Sequence, residues 1–212
     1  MSIADLRREY TLAGLRRHDL DPDPIRQFQK WFQQAVEAGA VEPSAMTLAT
    51  AAPGGVPSTR IVLLKGIDER GFVFYTNYES RKGKDLATNP QAAVVFFWAE
   101  LERQVSVIGI TNKLSREESE AYFKTRPRGA RLGAWASRQS EVITNREALE
   151  QRFQEFEQKY PGDNIPLPSY WGGYVLGPQR IEFWQGRPNR LHDRFAYTKQ
   201  PGGDWAIERL SP

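Results

Sequence analysis

The chain of 212 residues has no cysteine, two histidines and two methionines. Without cysteine, disulfides, thiolate zinc sites and cysteine nucleophiles are excluded. His18 and His192 stand far apart and lack metal-ligand spacing, so no metal site is expected. There is no Walker loop and no G-x-G-x-x-G after a strand, so a nucleotide is not held in either of those ways. No Gly-x-Ser-x-Gly elbow is present. The first residues, MSIADLRREY, contain no apolar leader region, and no apolar run approaches a membrane span. The expectation is a soluble cytoplasmic protein with no membrane partner.

What is present is an ordered-protein composition, 40% hydrophobic and 12% aromatic, sufficient for the core of one compact domain. The net charge is only +3, from 29 basic and 26 acidic residues, but most of the basic residues are arginine. Arginine's planar fork suits bidentate contact with phosphate or carboxylate, although GC-rich codon usage produces the same bulk bias. Acidic residues are interspersed with the basic ones. A nucleic-acid module needs a continuous basic stripe, so nucleic acid is not an expected partner.

Residues 1–20 are polar and basic and read as a mobile arm, with a single domain over 21–212. Asp23 and Pro24 open a helix in which Ile25, Phe28, Trp31, Phe32, Ala35 and Val36 recur at helical spacing, and Gly39 ends it. Short β-type runs follow: Ala45–Thr50, Ser58–Lys65, Phe72–Thr76, Ala92–Trp98 and Arg103–Lys113, with a short helix between Ser80 and Asn89. Capping boxes Ser115-x-x-Glu118 and Thr144-x-x-Glu147 announce two further helices. Strands resume at Trp171–Leu176, Arg180–Gln185, Leu191–Tyr197 and Trp205–Leu210. Closely spaced strands with Pro/Gly turns indicate an antiparallel sheet closing toward a barrel, in an α+β domain.

Four segments carry candidate chemistry. Arg60 and Lys65 flank four aliphatic residues, which fits either a ligand-facing strand end or an ordinary buried strand with solvated ends. In Tyr75–Lys82, Ser80 as a helix cap places Arg81 and Lys82 in the first turn. Cations there oppose the helix dipole unless an anion shares that end; a solvated basic loop is the competing reading. Arg126 and Arg128 close a helix, where the dipole alone accounts for cations. Along Arg180–Gln185, alternation puts Ile181, Phe183 and Gln185 on one face and Glu182 and Trp184 on the other. Arg190, His192 and Arg194 share a strand face and repel unless an anion or acidic partner lies nearby.

The segments RIVLLK, FYTNYESRK, ERQV, YFKTRPR, GAWASRQS, SYWGG and IEFWQG…NRLHDRF occur in one order along nearly the whole chain. In that combination the sequence resembles the pyridoxamine 5'-phosphate oxidases. The resemblance implies an FMN-binding split β-barrel and a homodimer. It implies oxidation of pyridoxamine or pyridoxine 5'-phosphate to pyridoxal 5'-phosphate by molecular oxygen, with release of hydrogen peroxide. It further implies that Arg60, Ile61, Val62, Leu63, Leu64, Lys65, Tyr75, Thr76, Arg81, Lys82 and Gln104 bind FMN. Gln139, Ser140, Trp184 and Arg194 complete that pocket, some of them from the partner chain. Lys65, Tyr122 and Arg126 resemble the residues holding the substrate phosphate. Arg190, Leu191 and His192 resemble those at the substrate ring, with Arg190 and His192 catalytic, and Arg7, Arg8, Glu9 and Tyr10 resemble a lid. The chain departs from the family pattern at Ala130, where many members have a phosphate-contacting serine. A neutral hydroxyl contact contributes about 1 kcal/mol, which leaves Arg131 or a water to compensate. A non-oxidase flavin-binding split barrel is the alternative, disfavoured by the presence of Arg126 and the Arg190–His192 triplet.

Overall fold

The computed structural model describes residues 2–6 and 9–212; Arg7 and Arg8, expected in the lid, lie outside the described residues. Helix α1 (Pro24–Glu37) begins where the sequence predicts, because the Asp23 side chain accepts from the Ile25 N–H at 2.8 Å and Pro24 has no N–H to leave unpaired. Its apolar stripe buries Phe28 and Trp31 almost completely, at 1% and 2% exposure. Each such side chain contributes roughly 1.5–3 kcal/mol of burial.

The strands are β1 (Ala45–Ala51), β2 (Pro57–Leu63), β3 (Gly66–Asp68), β4 (Gly71–Asn77), β5 (Gln91–Trp98), β6 (Arg103–Lys113), β7 (Trp171–Gln185), β8 (Asp193–Lys199) and β9 (Trp205–Leu210). They form one antiparallel sheet in the order β2-β1-β5-β6-β7-β4-β3, with β8 added to β7 and β9 to β8. The first half of β7 pairs with β4 and its second half with β8, so the sheet branches there. β2 and β3 are consecutive in the chain yet lie at opposite ends of the strand order. The crossing segment is pinned by Leu64 N–H to Ser44 O and Lys65 N–H to Val73 O, each 2.8 Å. The sheet thus curls toward a barrel without closing.

Helices α2 (Arg81–Thr88), α3 (Arg116–Thr125), α4 (Arg128–Ala136) and α5 (Arg146–Lys159) complete the fold. The main core lies inside the curled sheet, where Phe28 meets Phe72 edge-on at 4.8 Å and lies 4.9 Å from Phe96. A smaller core of Phe123, Leu132, Ile165, Leu167 and Trp171 lies under α3–α5.

Several expectations are corrected. Trp171–Leu176 and Arg180–Gln185 are one strand, with a register shift opposite Ile108 and Gly109. Pro178 lacks a ladder N–H, and a Cβ on Gly109 would stand 2.0 Å from Gly177 O, so the irregularity needs this close backbone approach. β2 ends at Leu63, because the next two residues make the crossing just described. The α5 cap is Asn145, whose side chain accepts from Ala148 N–H at 2.9 Å, and not Thr144. Helix α4 and strand β3 were not expected. The strand expected from Leu191 starts at Asp193. Before it, Pro188–Arg190 form a single 3-10 turn in which Asn189 and Arg190 have φ of 55° and 62°, so Arg190 does not share a strand face with His192 and Arg194. The arm over residues 1–20 is not wholly outside the core. Leu15 and Leu20 are buried, and Asp193 and Glu102 side chains accept from Leu15 N–H and Leu12 N–H at 3.0 and 3.1 Å.

Candidate active site

The N-terminus of α2 gathers the first group. Ser80 Oγ accepts from Gly83 N–H at 3.3 Å and donates to Asn77 O at 2.6 Å, which fixes the cap. Arg81 and Lys82 then fall in the first turn, as expected. Arg81 is exposed, whereas Lys82 is buried. Lys82 Nζ donates to Gln139 Oε1 at 2.9 Å and to Thr76 Oγ1 at 3.1 Å, and no carboxylate pairs with it among the described residues. Burial, and then the nearby Arg60 charge, lower its pKa to about 8. Arg60 donates to Thr50 Oγ1 at 2.7 Å, to Ser58 Oγ at 2.5 Å and to Leu48 O at 3.3 Å. Burial lowers its pKa, the Asp85 charge opposes that, and Arg81 adds to it. Arg81, Gln139 and Ser140 line one cavity of about 340 Å³.

A second group lies beside the first. Tyr75 stacks on Tyr122 with ring centroids 3.8 Å apart, and on Trp171 at 5.5 Å. The Arg126 guanidinium sits 4.6 Å from the Trp171 ring centroid. Its Nη1 is buried without a hydrogen-bond partner, and burial lowers its pKa. Arg126, Ala130, Trp171 and Gln139 line a cavity of about 300 Å³, so Gln139 borders both groups. Ala130 presents only a methyl there. Arg131 does not replace the missing hydroxyl: its guanidinium is bound to the backbone O and the carboxylate of Asp163.

The third group is at the far end of β7. Gln104, Trp184 and Arg194 occupy adjacent register positions on β6, β7 and β8. Tyr10 packs edge-on against Trp184 at 5.6 Å and against His192 at 5.7 Å, with the Arg190 guanidinium 6.0 Å from its ring centroid. Glu9 accepts from Asn189 N–H at 3.3 Å. The His192 Nδ1 accepts from Arg187 N–H at 3.1 Å, which assigns the proton of the neutral ring to Nε2. Burial, then Arg190 and Arg194, lower the His192 pKa. Arg194 has the acidic partner that the sequence left open, Glu182 at 2.8 Å. Leu191 is 69% exposed.

Within one chain these groups are not all brought together. Among the described residues, no hydrogen bond or ring contact joins the third group to the first two. Lys65 lines a separate groove with Phe28, Phe32 and Ile67, away from the Arg126 cavity. Ile61 points outward at 63% exposure, while Val62 and Leu63 are half-buried and Leu64 is buried.

Comparison with known proteins decides the family. The pyridoxamine 5'-phosphate oxidase model matches residues 32–160, and the pyridoxine 5'-phosphate oxidase C-terminal dimerisation region matches residues 171–212. The chain belongs to the pyridoxamine 5'-phosphate oxidase family. The pyridoxine/pyridoxamine 5'-phosphate oxidase of Cupriavidus necator is 61% identical over 210 residues, covering 99% of each chain. That of Trichormus variabilis is 59% identical over 211 residues, covering 100% of this chain and 99% of its own. The crystal structure of PhzG from Burkholderia lata 383, in complex with tetrahydrophenazine-1-carboxylic acid, superposes with a TM-score of 0.87 at 32% identity, covering 93% of this chain and 98% of its own.

In this member of the oxidase family, the two matched segments build one sheet, because β7 pairs with β4 and β6 from the first. Sequence reasoning missed two contributors to the site. Trp171 supports Arg126, and Asp85 stands behind Arg60. The signal for Asp85 was an acidic residue at the fifth position of a short helix opened by two cations; burial could not be read from it.

Proposed function

We propose that the chain is an FMN-dependent oxidase of pyridoxamine 5'-phosphate and pyridoxine 5'-phosphate, producing pyridoxal 5'-phosphate with molecular oxygen as acceptor. The observation that carries the reading is a pair of neighbouring anion sites. One has Arg60, Arg81 and Lys82 beside a helix N-terminus, and the other has Arg126, whose buried Nη1 has no hydrogen-bond partner among the described residues. Two phosphorylated small molecules, cofactor and substrate, need two such sites. The residues present fit FMN: a buried lysine without a carboxylate partner, two arginines, and the Thr76 and Ser80 hydroxyls gathered at one helix start.

FMN, when bound, supplies the two-electron acceptor for the oxidation. The protein's own part is orientation and exclusion of water. Arg126 holds the substrate phosphate, and Trp171 keeps the guanidinium in place. Arg190 and His192 act at the substrate ring, where the Nε2–H of His192 is the available donor. Tyr10, packed over Trp184 and His192, covers that end from solvent.

The separation of the groups within one chain supports a homodimer in which a second copy completes each site. Ile61, Phe97, Ile108 and Ile110, between 38% and 63% exposed, share the outward face of β2-β1-β5-β6 and suit burial against that copy. Among the described residues no helix is long and apolar enough to cross a membrane; a cytoplasmic location accords with the reading. The test is peroxide production by the FMN-reconstituted protein with each phosphorylated substrate and with unphosphorylated pyridoxine. Peroxide from the phosphorylated substrates alone is expected, and peroxide from none refutes the assignment.

A further inference from the structure

Behind Arg60 lies a buried carboxylate that the oxidation chemistry does not use. Asp85, on the inner side of α2, is 8% exposed, and Thr50 on β1 is 2% exposed. The carboxylate oxygen Oδ2 of Asp85 accepts from Thr50 Oγ1 at 2.7 Å and from Ser58 Oγ at 3.3 Å. Its distance to the nearest Arg60 nitrogen is 4.0 Å, longer than a hydrogen bond. The same two hydroxyls accept from Arg60, one from Nη1 and one from Nη2. Thr50 therefore donates its one proton to Asp85 and turns a lone pair toward Arg60, while Ser58, 3.4 Å from Thr50 Oγ1, lies within reach of both Asp85 and Thr50 as its acceptor. Without the carboxylate, both rotors are free to turn, and the guanidinium loses its fixed acceptors.

We propose that Asp85 is a positioning residue: through Thr50 and Ser58 it holds the Arg60 guanidinium beside the start of α2, in the orientation that grips the cofactor phosphate. This rests on the FMN reading above. It competes with a simpler electrostatic expectation of opposite sign. A carboxylate near a phosphate repels it, so direct Coulomb interaction makes removal of Asp85 tighten FMN binding. Positioning makes removal weaken it. Because Asp85 and Thr50 are buried and the four side chains share hydrogen bonds, loss of one member is felt by the others.

The experiment uses the flavin-free full-length protein and titrates FMN and riboflavin separately, following quenching of flavin fluorescence. Riboflavin lacks the phosphate, so it reports everything except the phosphate grip. Wild-type protein is expected to prefer FMN. Asp85→Leu, which removes the acceptor oxygen that an asparagine would keep, and the near-isosteric Thr50→Val should each weaken FMN binding by roughly tenfold, the scale of a hydrogen bond to a charged group, and leave riboflavin affinity unchanged. Thr50→Val carries the test if Asp85→Leu does not fold. Unchanged or tighter FMN binding overturns the proposal, and so does an equal loss for both ligands, which marks a purely structural role. A wild-type protein indifferent to the phosphate refutes the FMN reading itself, a result distinct from the others.

Discussion

Lys82 and Gln139 meet at 2.9 Å, joining the first turn of α2 to the segment that follows α4. The pairing is of an ammonium with a neutral amide oxygen, and burial leaves the lysine pKa at about 8. A phosphate dianion arriving at this nitrogen favours the charged form and raises that pKa again. Below pH 8 the lysine is already protonated and FMN binding gains fully from it. Above pH 8 binding must take up a proton, so affinity falls as pH rises, by up to about tenfold per unit. Fluorescence titration of FMN between pH 7 and 10 should show this decline in the wild type. Lys82→Met should bind more weakly at pH 7 and show a flat profile over the same range.

Arg126 is a half-buried cation over the Trp171 ring, with one buried nitrogen that has no hydrogen-bond partner among the described residues. Such a group costs stability in the ligand-free protein and is retained for what it binds. Arg126→Met keeps the stacking volume and removes the charge. The variant is expected to melt at the same temperature as the wild type or higher. Its KM for pyridoxine 5'-phosphate should rise by at least about tenfold, the loss of a charge-assisted contact of roughly 1.5–3 kcal/mol. A lower Tm with unchanged KM would falsify this role.

His192 carries a lowered pKa, through burial and then the Arg190 and Arg194 charges, relative to an ordinary value of 6.5. Its neutral form, with Nε2–H as donor, is therefore present throughout the neutral range. Loss of activity through this ring should begin only as pH falls below 6.5. The kcat/KM profile is expected to show that acidic limb, and His192→Asn, which keeps an amide donor, should flatten it at a reduced rate. An acidic limb that persists unchanged in the variant would assign it to another group.

Gly186 leaves space for the Tyr10 ring, since a Cβ there would lie 2.7 Å from Tyr10 Cγ. Gly186→Ala should push Tyr10 off Trp184 without touching Arg190 or His192. Steady-state kinetics should show a several-fold rise in KM, while FMN retention on gel filtration stays at the wild-type level. Loss of flavin in this variant would mean that Tyr10 supports the cofactor end and not the substrate end.

The corrected cap of α5 is testable by stability alone. Asn145→Ala should cost about 1 kcal/mol in reversible unfolding. Thr144→Ala should leave the midpoint unchanged, because Asn145 already satisfies Ala148 N–H.

Local signals were legible in the sequence wherever one residue and its near neighbours settle the outcome. Asp23 with Pro24, Ser115 with Glu118, and Ser80 before Arg81 and Lys82 each mark a helix start, since a cap is a contact within three residues. Alternation correctly put Ile181, Phe183 and Gln185 on one face, because side-chain direction in a strand follows from its period of two; that this face is the buried one is seen only in the folded sheet. The ordered motifs carried the family. Tertiary structure alone decided contacts between residues distant in the chain. That Lys82 meets Gln139, that Asp85 reaches Arg60 through Thr50 and Ser58, and that Glu182 takes up Arg194 depend on strand order and on how α2 packs on β1. The close approach of Gly109 to Gly177, which makes one strand of two expected ones, is likewise a property of the paired sheet. Burial, which lowers the Lys82 and Arg126 pKa values, comes from the surrounding packing and not from the residues themselves.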